Sequence, residues 1–213
     1  MRSFTVLDSW ISGVDQLLRT LIVPPARQSA RAIPGVALLE SPLTAAEKRH
    51  VAGLMRVNHA GEVSAQALYQ GQALTAQLTT VKAQMTTAAA EEVEHLAWCE
   101  HRLRELGSRP SLLNPFWYGG SLVMGALAGW AGDGWSLGFV HETECQVLKH
   151  LQTHIAALPS YDLKTKAILT AMHADEAHHA QTAKEAGAFE LPWVIKQIMR
   201  GVATLLTRSS YYL

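Results

Sequence analysis

Long runs of the chain have the composition of helices, and the alternation of apolar and polar residues that is typical of strands is absent. At the N-terminus, residues 1–22, Asp8 and Asp15 lie inside an apolar pattern. Their charges argue against a signal peptide and favour a short amphipathic helix. A polar connection with prolines, residues 24–35, follows it. The pattern predicts an all-α protein.

Four long helical runs and a final helix follow this connection. The predicted runs are residues 44–77, 81–106, 135–158 and 160–187, with a last helix after Pro192. The first run opens on Thr44 and Glu47, which have the S/T-x-x-E form of a capping box. The second ends at Gly107 and the third at Pro159, two residues that commonly terminate helices.

One stretch, residues 111–132, contains no charged residue. Its length is close to the roughly 20 apolar residues of a membrane-crossing helix, but Asn114, Pro115 and several glycines interrupt it. We therefore favour a helix that lies in the membrane interface or caps an apolar pocket. A full membrane span and an ordinary buried helix are the alternatives. Gly125 and Gly129 have the spacing of close helix packing.

The length of 213 residues suits one domain with appendages. We divide it into an N-terminal helix and linker, residues 1–40, and a helical domain, residues 41–213, that includes the uncharged stretch. Eighteen basic residues balance eighteen acidic ones without a basic stripe, so nucleic acid is not an expected partner. Cys99 and Cys145 are too few for a disulfide framework and indicate buried thiols in the cytoplasm.

The pattern Glu-x-x-His places a carboxylate and an imidazole on one face of a helix, where both can reach one ion. It occurs at Glu47/His50, Glu92/His95 and Glu176/His179. Glu62 precedes the second pair by thirty residues, and Glu144 precedes the third by thirty-two. This separation suits antiparallel helices that face each other. The first pair has no such preceding glutamate, so we interpret Glu47 and His50 as a cap and a solvated side chain.

The glutamates of the two remaining pairs fall within apolar stripes. Glu92 is flanked by Met85, Leu96 and Leu103 at helical spacing, where an acid needs a reason to be buried. Four bare carboxylates in one core would repel each other, and two divalent cations would balance their charge. One Glu from each of two helices and Glu-x-x-His from each of the others form the ligand set of ferritin-like dimetal proteins. A carboxylate-rich set suits iron or manganese.

Nearby acids and histidines allow further assignments. Glu142 shares a helix face with Gln146 and Lys149, so we interpret it as solvated and assign the metal ligand to Glu144. Asp175 is a candidate to orient a ligand histidine across the bundle, with a solvated acid as the alternative. Of the remaining histidines, His150 is the best candidate for a supporting role. The others, His59, His154, His173 and His178, are interpreted as bystanders.

With these residues the chain resembles the demethoxyubiquinone hydroxylases, membrane-associated di-iron enzymes of ubiquinone biosynthesis. The resemblance covers nearly all of the chain from about residue 50. The stretches that carry it are LMRVNHAGEVSAQALYQGQ, EEVEH, RPSLLNPFW and ADEAHH. The family motif HAGE places a ligand at Glu62, and ungapped extension from RPSLLNPFW places another at Glu144. The family's supporting histidine falls on His150, whereas the tyrosine that follows it is Leu151 here.

The resemblance implies a ferritin-like four-helix bundle, with the apolar segment between its helix pairs, that holds two iron ions. Glu92 and Glu176 would bridge the irons, Glu62 and Glu144 would be terminal ligands, and His95 and His179 would bind one iron each. The enzyme would use O₂ to hydroxylate a polyprenylated methoxy-methyl-benzoquinol. It would work as a peripheral protein on the cytoplasmic face of the cell membrane, together with other ubiquinone-biosynthesis proteins.

A substrate that lives in the bilayer needs an apolar entrance, which the uncharged stretch is suited to form. The residues proposed for it are Phe116, Trp117, Leu122, Met124 and Trp130. Three other functions remain open. They are an iron-oxidising or storage protein with the same ligands, a membrane-surface lipid-binding module with a structural metal, and a di-iron oxygenase acting on another apolar substrate.

Overall fold

The structure, a computed structural model, describes residues 6–22, 24 and 27–213, with the backbone alone for residues 6–10 and 12. Its helices are α1 (Val6–Leu21), α2 (Ala45–Thr75), α3 (Thr79–Glu105), α4 (Asn114–Trp130), α5 (Asp133–Ala157), α6 (Leu163–Glu185) and α7 (Trp193–Tyr212). No strand occurs among the described residues, which confirms the prediction of an all-α protein. The largest error in the ends of the four long runs is the start of α6, predicted at 160 and found at 163.

The four long helices form the predicted ferritin-like bundle. Helix α2 pairs with α3 and α5 pairs with α6, while contacts of α3 with α6 and of α2 with α5 join the two pairs. The uncharged stretch between the pairs forms α4, which packs along α2. Helix α7 lies across α2 and α5. The capping box at the start of α2 is confirmed, since Thr44 accepts a hydrogen bond from the Glu47 amide and Glu47 accepts one from the Thr44 amide.

Two large apolar layers of the bundle core have a polar layer between them. One layer contains Met55 of α2, Cys99 of α3 and Leu151 of α5. The other, one or more turns away on the same helices, contains Tyr69 and Val140. The predicted ligands fall between the two layers on every long helix. Polar groups in such a position are cut off from water, so they need partners inside the bundle.

Helix α4 approaches α2 closely through glycines, as the spacing of Gly125 and Gly129 predicts. A Cβ at Gly125 would lie 2.1 Å from the carbonyl oxygen of Leu68, and one at Gly71 would lie 2.2 Å from the carbonyl oxygen of Leu122. Only glycine lets the two backbones come this near. Because α4 is held in this way, its uncharged side chains are fixed relative to the bundle.

We expect Gly125→Ala to destabilise the protein by about 1–3 kcal/mol, the usual effect of forcing extra atoms into a packed contact. Thermal or urea unfolding measures the change. Gly120→Ala, in the same helix, is the control. Since a Cβ at Gly120 meets nothing within 4 Å, that variant should be more stable by about 0.5–1 kcal/mol. Equal stability of the two variants would contradict the close approach.

Residues 27–43, here called the connecting segment, are fastened to the bundle by ion pairs and hydrogen bonds. The Arg27 guanidinium donates to Glu100 of α3 at 2.8 Å. Glu94 of α3 accepts from the amides of Ala30 and Arg31 at 2.7 and 3.1 Å. The connecting segment is therefore bound to the surface of the bundle. The division of the chain at residue 40 stays a prediction.

Candidate metal centre

The structure brings all six predicted ligands into the polar layer. Glu62 comes from α2, Glu144 from α5, and the two Glu-x-x-His pairs come from α3 and α6. None of the six residues is more than 8% exposed. They form two overlapping groups, within each of which one possible ligand atom per residue lies within 4.8 Å of the others. The groups are Glu62, Glu92, His95 and Glu176, and Glu144, Glu176 and His179.

Glu92 and Glu176 lie between the two histidines. Glu92 places Oε2 at 3.3 Å from Nδ1 of His95 and Oε1 at 3.6 Å from Nδ1 of His179. Glu176 likewise places Oε1 at 3.0 Å from Nδ1 of His95 and Oε2 at 3.0 Å from Nδ1 of His179. Each carboxylate thus has one oxygen beside each imidazole, the arrangement needed for a ligand that bridges two metals.

The electrostatics of the cluster call for cations. Burial and the neighbouring carboxylates of Glu176 and Glu62 raise the pKa of Glu92 well above its ordinary value. Burial and Glu176 do the same to the pKa of Glu144. Oε1 of Glu92 is fully buried and has no hydrogen-bond partner among the described residues. Four carboxylates and two imidazole nitrogens fit a pair of divalent iron or manganese ions, which would satisfy these atoms and neutralise the charge.

Two acids outside the cluster orient its histidines in a crossed arrangement. Nε2 of His95 lies 2.9 Å from Asp175, which directly precedes Glu176 in α6. Nε2 of His179 lies 2.7 Å from Glu91, which directly precedes Glu92 in α3. With Nε2 held by a carboxylate, Nδ1 of each imidazole is free to face the cluster. The sequence prediction included Asp175 and missed Glu91. An acid directly before Glu-x-x-His in both motifs was the available signal.

The two supporting acids differ in how firmly they are held. Arg31 of the connecting segment donates to both oxygens of Asp175, at 3.2 and 2.7 Å. The hydrogen bond from His95, together with Arg31, holds the pKa of Asp175 well below its ordinary value. The Arg31 guanidinium also lies 4.6 Å from the ring centroid of Trp98. The side chain of Glu91, by contrast, is half exposed.

We expect Asp175→Asn to weaken metal binding by about 10–100-fold, the usual effect of losing a group that supports a ligand histidine. Anaerobic titration of the metal-free protein with ferrous ion measures this change. Arg31→Lys keeps the positive charge near Asp175 but loses the two-pronged contact, so it should produce a smaller loss. Unchanged affinity in Asp175→Asn would show that His95 does not depend on this contact.

The remaining histidines lie outside the cluster. His150 and His154 stack at 5.1 Å on α5, and Nε2 of His150 lies 2.5 Å from Thr207 of α7 instead of bonding a predicted ligand. Burial and the neighbouring His150 and His50 lower the pKa of His154 to about 4. His59 is buried between Glu100 and Asn114. His178 is exposed, which agrees with its interpretation as a bystander.

Two sequence interpretations need correction. Glu142, predicted to be solvated, is buried, and Lys196 lies 3.3 Å from its carboxylate. Helix α7 covers this face of α5, a contact that spacing along α5 does not reveal. His50, also predicted to be solvated, is half-buried with Nδ1 at 2.7 Å from the Tyr211 hydroxyl. Both corrections concern contacts with α7, and the choice of Glu144 over Glu142 agrees with the geometry.

A cavity of about 270 Å³ leads from the cluster towards α4 and α7. Glu62, Glu144 and Glu176 lie in its wall, and most of the remaining lining is apolar. The apolar part of the lining includes Leu68, Trp117, Met124, Phe139, Ile198 and Leu206. A carboxylate cluster at the wall of an apolar cavity is suited to chemistry on an apolar molecule.

The five residues proposed for an apolar entrance divide into two sets. Trp117 and Met124 line the cavity, and Leu122 packs against a small core cluster around Tyr118. Phe116 and Trp130 instead point outwards and are 68% and 77% exposed. None of the described helices is both long and apolar enough to cross a membrane.

Comparison with known proteins identifies the family of this chain. Residues 49–210 match the family described as "Ubiquinone biosynthesis protein COQ7". The 3-demethoxyubiquinol 3-hydroxylase of Legionella pneumophila (strain Paris) is 64% identical over 213 residues, all of both chains. The protein of the same name from Acinetobacter baylyi is 54% identical over the same length. The resemblance drawn from the motifs is confirmed, and this chain belongs to the COQ7 family of ubiquinone biosynthesis proteins.

Proposed function

We propose that this protein hydroxylates the ring of a polyprenylated methoxy-methyl-benzoquinol in ubiquinone biosynthesis, using O₂ and two iron ions. The observation that carries the proposal is the buried set of four glutamates and two histidines at the wall of an apolar cavity. Relatives that match the chain over its full length are named as hydroxylases of demethoxyubiquinol. The cluster supplies ligands for the metals, and the cavity supplies space for an apolar substrate.

Six side chains would hold the metal pair in this proposal. Glu92 and Glu176 would bridge, because each places one oxygen beside each histidine. Glu62 would be a further ligand of the metal bound by His95, and Glu144 a further ligand of the metal bound by His179. The chemistry supplied by two bound ferrous ions is the activation of O₂ and the transfer of one oxygen atom to the ring.

The protein's own part is to position the ring and to exclude water. The wall formed by Glu62, Glu144 and Glu176 marks the end of the cavity where the ring would lie. Trp117 and Met124 of α4 and the apolar residues of α7 would surround the prenyl tail. An apolar substrate that fills this cavity would keep bulk water from the reacting atoms. Asp175 and Glu91 hold the imidazoles in register.

The decisive experiment loads the metal-free protein with ferrous iron under anaerobic conditions and then adds O₂ and the reduced quinol. Two irons per chain and a product that gains one oxygen atom from ¹⁸O₂ are expected. Iron oxidation without a hydroxylated product would favour the iron-storage alternative. If the protein consumes no O₂ and still binds lipid when zinc replaces iron, the result would favour a lipid-binding module whose metal is structural. A panel of other apolar substrates tests the remaining alternative, a different oxygenase.

We place the protein at the cytoplasmic face of the cell membrane, bound through a surface that flanks the cavity. This surface, here called the apolar face, consists of exposed side chains of α4 and α7. They are Phe116, Val123, Leu127, Trp130, Trp193, Val194, Ile198 and Leu205. Exposed apolar side chains on two helices that line the same cavity are suited to binding a membrane interface. A quinol could then pass from the bilayer into the cavity between α4 and α7.

Replacing Phe116 and Trp130 together by glutamate should release the protein from lipid vesicles, because each change removes exposed apolar area and adds charge. Vesicle co-sedimentation measures the bound fraction. Leu39→Glu is the control, because Leu39 is 92% exposed but belongs to the connecting segment, which contacts α3 and α6. Equal vesicle binding by the parent and the double variant would exclude the apolar face as the membrane contact.

A further inference from the structure

A tyrosine outside the predicted ligand set contacts one of its members. Tyr69 of α2 is completely buried and lies seven residues after Glu62, on the same face of the helix. Its hydroxyl donates a hydrogen bond to Oε1 of Glu144 on α5.

The surroundings of Tyr69 hold its hydroxyl in one place. The ring belongs to the apolar layer formed with Val81, Met85, Ala89, Leu137 and Val140. Side chains in such a layer sit in fixed rotamers because the interior is densely packed. The hydroxyl is therefore a rigid donor at the edge of the cluster.

Glu144 differs from the other three predicted ligand glutamates in what lies beside its carboxylate. Glu62, Glu92 and Glu176 each lie within 3.3 Å of a ligand histidine nitrogen. Among the described residues, Tyr69 is the one group outside the cluster that donates a hydrogen bond to Glu144. With Oε1 held by Tyr69, the second oxygen of Glu144 stays available to a metal shared with Glu176 and His179.

We propose that Tyr69 is a positioning residue that fixes Glu144 as a ligand of the metal bound by Glu176 and His179. This inference rests on the dimetal centre of the proposed function. A carboxylate on a flexible side chain loses entropy when it binds a metal, and a fixed hydrogen bond reduces that loss in advance. Tyr69 should therefore affect one metal position and leave the position of Glu62 and His95 unchanged.

Anaerobic titration of the metal-free protein with ferrous ion tests the proposal, with calorimetry as the measurement of binding. In Tyr69→Phe, the first equivalent should bind as in the parent and the second about 10–100-fold more weakly. Tyr118→Phe is the matched control, because it also removes a buried hydroxyl. Among the described residues, this hydroxyl donates to Gln70 and to none of the six predicted ligands. The control variant should bind both metals as the parent does.

A double-mutant cycle with Glu144→Gln separates positioning from a general effect on the fold. If Tyr69 acts through Glu144, adding Tyr69→Phe to Glu144→Gln should cause no further loss of metal affinity. Parental binding of both metals by Tyr69→Phe, loss of both metals, or additive losses in the cycle would each overturn the inference. Failure of the parent itself to bind two metals would instead contradict the proposed dimetal centre.

Discussion

Replacing Glu176 by alanine should reduce the rate of quinol hydroxylation by more than about 100-fold. Losing a residue that only supports a metal ligand lowers activity by up to about 100-fold, and losing a ligand itself should lower it further. Glu176 is the one residue that belongs to both groups of possible ligands. It also places an oxygen 3.0 Å from each histidine. Its loss therefore removes a ligand from both metal positions. Iron content should fall below two per chain together with the rate.

The fold should survive this substitution. Glu176 lies among three other buried carboxylates, so its removal lessens like-charge repulsion in the metal-free protein. It also removes one acid partner of His95 and His179, but each histidine keeps others, among them Glu92 and Glu91. Circular dichroism and the melting temperature of the metal-free variant check this point. Glu185→Ala, an exposed position near the end of the same helix, is the control and should keep full activity. A Glu176→Ala protein that retains two irons and parental turnover would refute the site.

Arg102→Met should destabilise the protein by about 3–5 kcal/mol, the usual result of removing one partner from a buried ion pair. The Arg102 side chain is fully buried and uses all five of its N–H donors. They contact Glu40 of the connecting segment, Glu105 of α3, and Asp162 and Thr165 at the start of α6. In the parent protein the buried carboxylate of Asp162 lies 3.0 Å from the guanidinium. In Arg102→Met this carboxylate would stay buried without its cationic partner.

Urea unfolding of Arg102→Met and of Arg104→Met tests this expectation. Arg104 lies on the same helix but is exposed, so its replacement should change stability by less than about 0.5 kcal/mol. Activity per folded molecule should stay close to that of the parent, because Arg102 lies away from the candidate metal centre. A loss below about 1 kcal/mol in Arg102→Met would show that the ion-pair network adds little to stability.

Much of the candidate centre could be predicted because its signals lie within single helices. Glu-x-x-His gives two side chains on one face whatever the tertiary structure, since helical geometry fixes the i and i+3 positions. Acids inside an apolar stripe show that the face is buried. The choice of Glu144 over Glu142 used the same rule, because only Glu144 shares a face with several apolar residues.

Contacts between elements that are distant in sequence could not be predicted in this way. Glu142 shares a face with polar residues on α5, yet α7 covers it and Lys196 neutralises it. Arg102 lies near the end of α3, a position typical of a charge that stabilises a helix C-terminus, but the connecting segment closes over it. Glu91 of α3 supports His179 of α6 across the bundle. Neither Glu-x-x-His motif by itself shows which acid of the other helix its histidine contacts. Each contact depends on the relative rotation and offset of two helices, which side-chain packing sets.

The sequence by itself determined the helices, the six residues of the candidate centre and the family of this protein. These features depend on helical spacing and on motifs formed by residues that are close in sequence. Only the tertiary structure decided that Phe116 and Trp130 face outwards while Trp117 and Met124 line the cavity. It alone brought Tyr69 to Glu144. The reason is physical: a helix defines its own faces, but its packing against other helices decides what each face meets.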